Sequence, residues 1–206
     1  GTCWEHVPDY SVFDISNLSM KKKFELYNQE TITLDQIDLD DVSLTPNQAL
    51  QVQSEVEETS FVDIDQIRNF ISNLNYPLYY LDFETISPAV PIYNNSRPYQ
   101  QLVFQYSLHI QSSPGSEITH KEYLADPKQD PRIGFVEQLI TECGTYGDII
   151  VYNIGFEKGK LKDLIELFPQ YSTQLTDIIN RLKDLMIPFQ QKWYYTPKMK
   201  GSYSIK

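Results

Sequence analysis

Residues 77–84 read PLYYLDFE, an apolar and aromatic run from Pro77 to Leu81 followed by two acids flanking one aromatic. Read as a strand, the run sends successive side chains to opposite faces. Asp82 and Glu84 then project from the same face at the end of a buried strand. Two carboxylates side by side repel and are costly to bury unless something positive stands between them. A divalent metal ion is the usual solution. This stretch constrains the chain more than any other, and it points to a metal-dependent enzyme.

The chain has 206 residues, enough for one domain of ordinary size plus an appendage, and its 41% hydrophobic content supplies a core. No apolar run approaches the length of a membrane span, and no signal peptide is visible. Two cysteines, Cys3 and Cys143, stand far apart, which is no disulfide framework. A reducing, cytoplasmic location is the expectation. The net charge of −11 argues against nucleic acid until its distribution is read. Residues 1–75 hold 14 acids and 4 bases, whereas residues 76–206 hold 14 acids and 13 bases. From Arg181 to Lys206 there are 6 bases and 1 acid. An acidic N-terminal part, 1–61, is thus joined to a near-neutral domain, 62–206, with a basic end.

Short helical pieces such as Met20 to Tyr27, broken by acidic stretches, make residues 1–61 a small helical appendage. Ile64, Ile67, Phe70, Ile71 and Leu74 then share a helical face, with Asp63 and Gln66 placed as a capping box. After the strand with the acids comes a loop, 86–100, rich in Pro and Asn. Residues 102–110 alternate as a half-buried strand, with Leu102, Phe104, Tyr106, Leu108 and Ile110 on one side. Glu117 to Tyr123 forms a returning strand after a Ser-Pro-Gly-Ser turn. Pro131 to Cys143 reads as a helix, Gly147 to Tyr152 as a short buried strand, and Phe156 to Phe168 and Gln170 to Met186 as two helices. The order β-β-β-α-β-α-α predicts an α/β fold with a mixed sheet flanked by helices. It is compatible with a ribonuclease H-like sheet, whose first strand is central with the fourth beside it.

Three further constellations carry chemistry. In Val151 to Glu157 a buried strand ends, a tight turn follows, and a helix starts with an acid in its first turn. The acid either serves the helix dipole or joins Asp82 and Glu84 as a third carboxylate, a set that suits Mg²⁺ or Mn²⁺. Asp184 ends the last amphipathic helix as either a solvated acid or a catalytic one. The tail interleaves Lys192, Lys198, Lys200 and Lys206 with Trp193, Tyr194, Tyr195 and Tyr203. That pattern fits either a strand of nucleic acid or rings packed into a core. Arg97 and Tyr99, in the loop after the acids, are placed to touch a substrate. Scattered histidines exclude an ordinary zinc site, and no P-loop, GxGxxG or GxSxG occurs. Cys143, on an apolar helix face, reads as a structural thiol.

Asp82-Phe83-Glu84-Thr85 resembles the first motif of the DEDD 3′–5′ exonucleases, which have the ribonuclease H-like fold. Asn153 to Glu157 is similar to their second motif, with Glu157 where that family has Asp. A closer resemblance is to an uncharacterised bacterial family that carries this domain behind a RecB-like nuclease domain. It rests on LDFET at 81–85, RPYQQLVFQYSLH at 97–109, VYNIGFEK at 151–158, RLKDL at 181–185 and GSYSIK at 201–206. Cys3-Trp4-Glu5-His6 resembles the last cysteine of an iron–sulfur cluster closing such RecB-like regions, a cluster expected in the full-length protein only.

The resemblance implies two-metal phosphodiester hydrolysis of single-stranded DNA or RNA from a 3′ end. Asp82, Glu84 and Glu157 would hold the ions, with Asp184 the candidate fourth acid. Phe83, Thr85, Asn153, Phe156 and Lys206 join Arg97 and Tyr99 as substrate contacts. No convincing copy of that family's third motif is present, so the chain reads as a piece cut from a longer protein. The alternative is an inactive ribonuclease H-like module that binds nucleic acid for its RecB-like partner. A two-carboxylate glycosidase is disfavoured, because acids two residues apart on one strand are poorly placed to flank a glycosidic bond.

Overall fold

Each apolar run becomes an element wherever its backbone groups find partners. The computed structural model describes residues 4–205. In chain order they form α1 (Met20–Asn28), α2 (Pro46–Val56), β1 (Phe61–Val62), α3 (Ile64–Ser72), β2 (Leu78–Ile86), β3 (Leu102–Gln111) and β4 (Ile118–Leu124). There follow α4 (Pro131–Cys143), β5 (Asp148–Val151), α5 (Ile154–Leu167), α6 (Ser172–Arg181), β6 (Leu182–Asp184), α7 (Ile187–Gln190) and β7 (Tyr194–Tyr195). Packing divides the chain into two compact units, Ser72–Met186 on one hand and Gly1–Ile71 with Ile187–Lys206 on the other. Among the described residues no helix is long and apolar enough to cross a membrane.

The unit Ser72–Met186 is α/β, with a mixed five-stranded sheet ordered β4-β3-β2-β5-β6. β3 is antiparallel to both β2 and β4, while β2, β5 and β6 run parallel. The first strand of this sheet is therefore central and the fourth lies beside it, as the element order anticipates. Helices α4, α5 and α6 supply Phe135, Leu139, Leu161, Leu175 and Ile178 to a core that takes Leu81 and Phe83 from β2. Burying each such side chain contributes about 1.5–3 kcal/mol. Phe83 sets its ring edge-to-face on Phe135 at 5.1 Å, which adds a geometric preference to the burial.

Two features depart from the sequence reading. The helix expected from Gln170 to Met186 stops at Arg181, and Leu182–Asp184 forms the edge strand β6, pairing Val151 with Asp184. The Arg181 guanidinium explains the stop. It donates to the carbonyls of Cys143, Gly144, Tyr146 and Gly147 and pairs with Asp177 at 2.9 Å. It thereby caps the end of α4 and satisfies the turn into β5. The second departure is a register shift between Glu84 and Thr85, which face Gln105 and Val103, so that Phe104 is the extra residue of a bulge. Strict alternation fails there. Val103, expected outward, is buried in the core.

Gly147, just before β5, leaves no room for a side chain. With φ +85°, it packs so tightly on Pro77 that a Cβ would collide with the Pro77 carbonyl. The neighbouring Asp148 accepts from the Asn75 backbone N–H at 2.8 Å and returns its own N–H to the Asn75 carbonyl. This clasp ties the start of β5 to the approach of β2.

The other unit has a small core of Val12, Ile15, Leu26, Leu34, Ile37 and Val52. The chain from Ile187 onward joins it instead of the domain expected over 62–206. β7 pairs antiparallel with β1, setting Tyr195 against Phe61. Tyr195 is fully buried, and its hydroxyl and that of Tyr10 both donate to Glu55. Burial and the nearby Glu55 carboxylate push both hydroxyls up, so they remain proton donors. Lys192 is buried too, its ammonium 4.2 Å over the Tyr195 ring and 3.4 Å from the Ser16 hydroxyl. Two members of the aromatic-basic tail are therefore core groups and not an open nucleic-acid track. Helix α3 starts where expected, with the Gln66 N–H on Asp63 Oδ1 at 3.0 Å, but Ile64 and Ile71 on its apolar face are exposed. Cys3 and Lys206 lie outside the described residues.

Burial pulls the Lys192 pKa down from 10.5 to about 8. Between those values the unfolded chain holds a proton that the folded chain has shed, so Lys192 costs stability below pH 8 and the cost is relieved as pH rises. Lys192→Met is expected to melt at or above the parent temperature at pH 7, with the gain shrinking above pH 9. A loss of stability at pH 7 in a thermal scan would show that the cation–ring contact outweighs the burial cost.

Candidate active site

Asp82 and Glu84 emerge from β2 on one face and are exposed, while Leu81 and Phe83 between and beside them are buried on the other. The strand does not end at the acids, as expected, but runs on to Ile86. Its pairing with β5 does end, at Tyr80 opposite Ile150. Beyond that point the strand pairing of β2 is with β3, and Asp82 stands level with the residues that follow β5. The bulge beside Glu84 bends the strand just past the acids. The site therefore forms where the parallel strands β2, β5 and β6 reach their carboxyl ends, the usual place for a site in an open α/β sheet.

Glu157 stands in the first turn of α5, the helix that follows β5. Asn153, with φ 70° and ψ 71°, makes the left-handed turn from β5 into that helix. Its own side chain makes no capping bond. Asp184 performs the capping from the neighbouring strand. Its Oδ1 accepts from the N–H of Asn153 at 3.0 Å and of Met186 at 2.9 Å, and its Oδ2 accepts from the N–H of Ile154 at 3.1 Å. Three charge-assisted bonds to backbone fix the turn. Asp184 is thus neither a helix-end acid in solvent nor a free ligand: its carboxylate is engaged in holding β5, α5 and the chain after β6 together.

Glu157 is 2% exposed, and its Oε2 is buried with no hydrogen-bond partner. Burial pushes its pKa up to about 7, and the nearby carboxylates of Asp82 and Asp184 push in the same direction against a backbone N–H that lowers it. A buried oxygen without a partner, facing further negative charge, is a position that a cation would relieve. Among the described residues, however, no three Asp, Glu, His or Cys side chains stand together as a ready-made metal cage.

The remaining expected contacts divide. Phe83 is a core residue by its side chain, Thr85 is half-buried at the bulge, and Phe156 packs partly against the core. Arg97 and Tyr99 sit in the loop before β3, and Tyr99 is 73% exposed. Arg97 lines a pocket of about 540 Å³ between that loop and α5. Sequence reasoning missed Arg132, which is buried, bonds Asp130 at 2.6 Å and donates to the Asn94 carbonyl at 2.7 Å, anchoring the same loop. The Asp130-Pro131-Arg132 helix start was the available signal.

A family model described as "Domain of unknown function (DUF2779)" matches residues 79–204. The chain is similar to the uncharacterized protein UU173 of Ureaplasma parvum, 28% identical over 96% of this chain and 30% of that protein. It is also 28% identical to the uncharacterized protein MG366 of Mycoplasma genitalium over 62% of the chain and 20% of that protein. The MG366 homolog of Mycoplasma pneumoniae is 31% identical over 52% of the chain and 17% of its own length. The chain thus spans less than a third of these relatives. No solved structure matches significantly.

Two substitutions separate the acids. Glu157 has a folded pKa raised from 4.5 to about 7, so its contribution falls as pH rises through that range. In metal-free buffer Glu157→Gln is expected to be the more stable above pH 7, by on the order of 2 kcal/mol, and to lose the advantage at pH 4.5. Asp184→Ala leaves three backbone donors without their acceptor and is expected to cost about 3 kcal/mol in urea unfolding. Equal stability of Asp184→Ala and the parent would remove the capping role.

Proposed function

We propose, from the premise that this chain belongs to the DUF2779 family, that it is a metal-dependent phosphodiester hydrolase that removes nucleotides from a 3′ end of single-stranded DNA or RNA. The observation that carries the reading is the unpartnered, buried Oε2 of Glu157, whose carboxyl feels the Asp82 charge, near the carboxyl ends of β2 and β5. Support comes also from the strand order and senses of the sheet, which are those of the ribonuclease H-like arrangement the motifs imply. The RecB-like company and the iron–sulfur cluster belong to this proposal for a longer parent protein.

Asp82, Glu84 and Glu157 fit Mg²⁺ or Mn²⁺ in donor type, and such ions are commonly held by one or two carboxylates with waters and substrate phosphates completing the shell. The ions, when bound, supply the charge that activates a water and stabilises the leaving 3′ oxygen. The chain's own residues then have distinct tasks. Asp82 and Glu84 present exposed oxygens to the substrate side. Glu157 presents a desolvated one from behind, and its proton leaves when a cation takes its place. Asp184 keeps Glu157 aimed by holding the turn at Asn153 and Ile154. Arg97, on the loop beyond β2, is free to meet a phosphate.

A second reading is favoured by one observation, the absence of a ready-made three-ligand cage among the described residues. It is an inactive module that binds single strands for a partner region.

One pair of measurements separates them. The hydrolase is expected to degrade a labelled single strand with Mn²⁺, and Asp82→Ala or Glu84→Ala to reduce the rate by more than the roughly 10- to 100-fold typical of outer-shell changes. Mn²⁺ is also expected to raise the melting temperature of the parent chain and not that of Glu157→Gln. Salt-sensitive strand binding with neither degradation nor a Mn²⁺-dependent melting shift would sink the hydrolase and leave the binding module.

A further inference from the structure

The hairpin of β3 and β4 brings together two histidines that the sequence scatters. His109 and His120 are direct cross-strand partners. The Ala125 N–H donates to the Phe104 carbonyl at 2.9 Å, and counting back along the ladder makes His109 and His120 a non-hydrogen-bonded pair. Such pairs hold their side chains closest, with Cβ atoms about 4.5–5.5 Å apart. The two rings stack at 4.4 Å with their planes 25° apart. Ring contacts such as Tyr106 with Tyr123 and Phe83 with Phe135 serve the core of this unit. The histidine pair does not, since both rings are on exposed residues.

Two imidazoles so placed offer nitrogen donors to one cation. Nitrogens each about 2.0–2.1 Å from a tetrahedral ion stand about 3.4 Å apart, a span that the Cβ spacing of the pair permits. Stacked rings do not yet converge on one point. Because both are exposed, turning them edge-on gives up the stack and no core contact. No hydrogen bond engages the His109 ring among the described residues. The Ser107 hydroxyl lies 3.1 Å from Nε2 of His120. With an Nε2–H donating to Ser107, the lone pair of His120 is on Nδ1, and a neighbouring oxygen orients the ring as it does for a ligand imidazole.

The donor type selects the ion. Imidazole suits Zn²⁺, Cu²⁺ and Ni²⁺, whereas Mg²⁺ and Mn²⁺ favour oxygen. Of the first three, Zn²⁺ has no geometric preference from its d electrons, so a twisted hairpin need not supply a square plane. Glu122, exposed in the next row of the same face opposite Ser107, adds negative charge without completing a three-ligand cage. We propose that His109 and His120 form a zinc site with two protein ligands, its remaining positions filled by water. The site is separate from the strand acids. Asp82 pairs with Ser107 and so lies two strands and two residues from His120, roughly 12 Å between Cα atoms. A zinc ion there ties the edge strand β4 to β3, whether or not the chain cleaves phosphodiesters.

The test follows the imidazole ¹H–¹⁵N signals of the ¹⁵N-labelled chain as Zn²⁺ is added. The chain has three histidines, and His6, bonded to Tyr27 in the other unit, is the internal control. His109 and His120 are expected to shift together and to saturate at one ion per pair, with His6 needing at least about tenfold more zinc. A large excess of Mg²⁺ is expected to move neither. His109→Phe, which keeps a ring against His120, is expected to weaken zinc binding at His120 at least about tenfold, and His120→Phe to do the same at His109. The double change Asp82→Asn with Glu84→Gln is expected to leave the zinc affinity of the pair unchanged. Imidazoles that respond no more readily than His6, or one that responds without the other, overturn the proposal. So does unchanged affinity at His120 in His109→Phe. Loss of binding in the strand-acid variant also overturns it, by placing the ion at those acids.

Discussion

The Asp184 carboxylate accepts three backbone N–H groups from two directions, and the geometry of the site depends on it. The β5–α5 turn passes through a left-handed Asn153, a conformation that costs free energy in a non-glycine residue. It also leaves the first N–H groups of α5 without helical partners. One buried anion on the neighbouring strand answers both problems. Its negative charge lies at the positive end of the α5 dipole, and its two oxygens span the turn. Without this clasp the first turn of α5 would lack a fixed aim, and Glu157 with it.

A consequence is that the site concentrates negative charge before any ligand arrives. Asp184, on β6, is taken up by three backbone donors, Asp82 stands on β2 across β5, and Glu157 is buried in the first turn of α5. The three are not equivalent. Asp184's charge is spent on backbone, Asp82's is shared with solvent, and Glu157 has neither solvent nor a full set of donors. Glu157 is therefore the acid that yields, by taking a proton near neutral pH or by accepting a cation in the proton's place. A purely structural acid at a helix start has no need of burial, since an exposed one serves the dipole as well.

The strand with Asp82 and Glu84 was legible because a period of two survives in a short run, and because acids interrupting apolar residues have few structural explanations. The alternation of elements, and with it an α/β fold with a mixed sheet, followed from the spacing of the same runs. Leu182–Asp184 was not legible. Leu182 and Leu185 continue the helical spacing of Leu175 and Ile178, and nothing in that periodicity reports that Arg181 turns its guanidinium onto four carbonyls of another segment. The bulge at Phe104 was hidden for a related reason, since one extra residue shifts the phase of alternation without altering composition. The tail misled through its charge. Lys192 carries the same formal charge as Lys198, but one is buried over the Tyr195 ring and the other is exposed, and only the long-range pairing of β7 with β1 distinguishes them.

The longer arm of Glu157 bears on how the site is built. An aspartate in the first turn of α5 would end one methylene shorter, nearer its own helix backbone and its free N–H groups. Glutamate's longer arm lets the carboxyl fold back to accept from its own backbone N–H while the Asp82 and Asp184 charges still act on it. If that extra reach served packing, its oxygens would be expected to end on donors of the fold. One does not: Oε2 is buried and unpartnered. One side of the carboxyl is thus met by the helix start, and Oε2 is left buried without a donor in the field of Asp82 and Asp184.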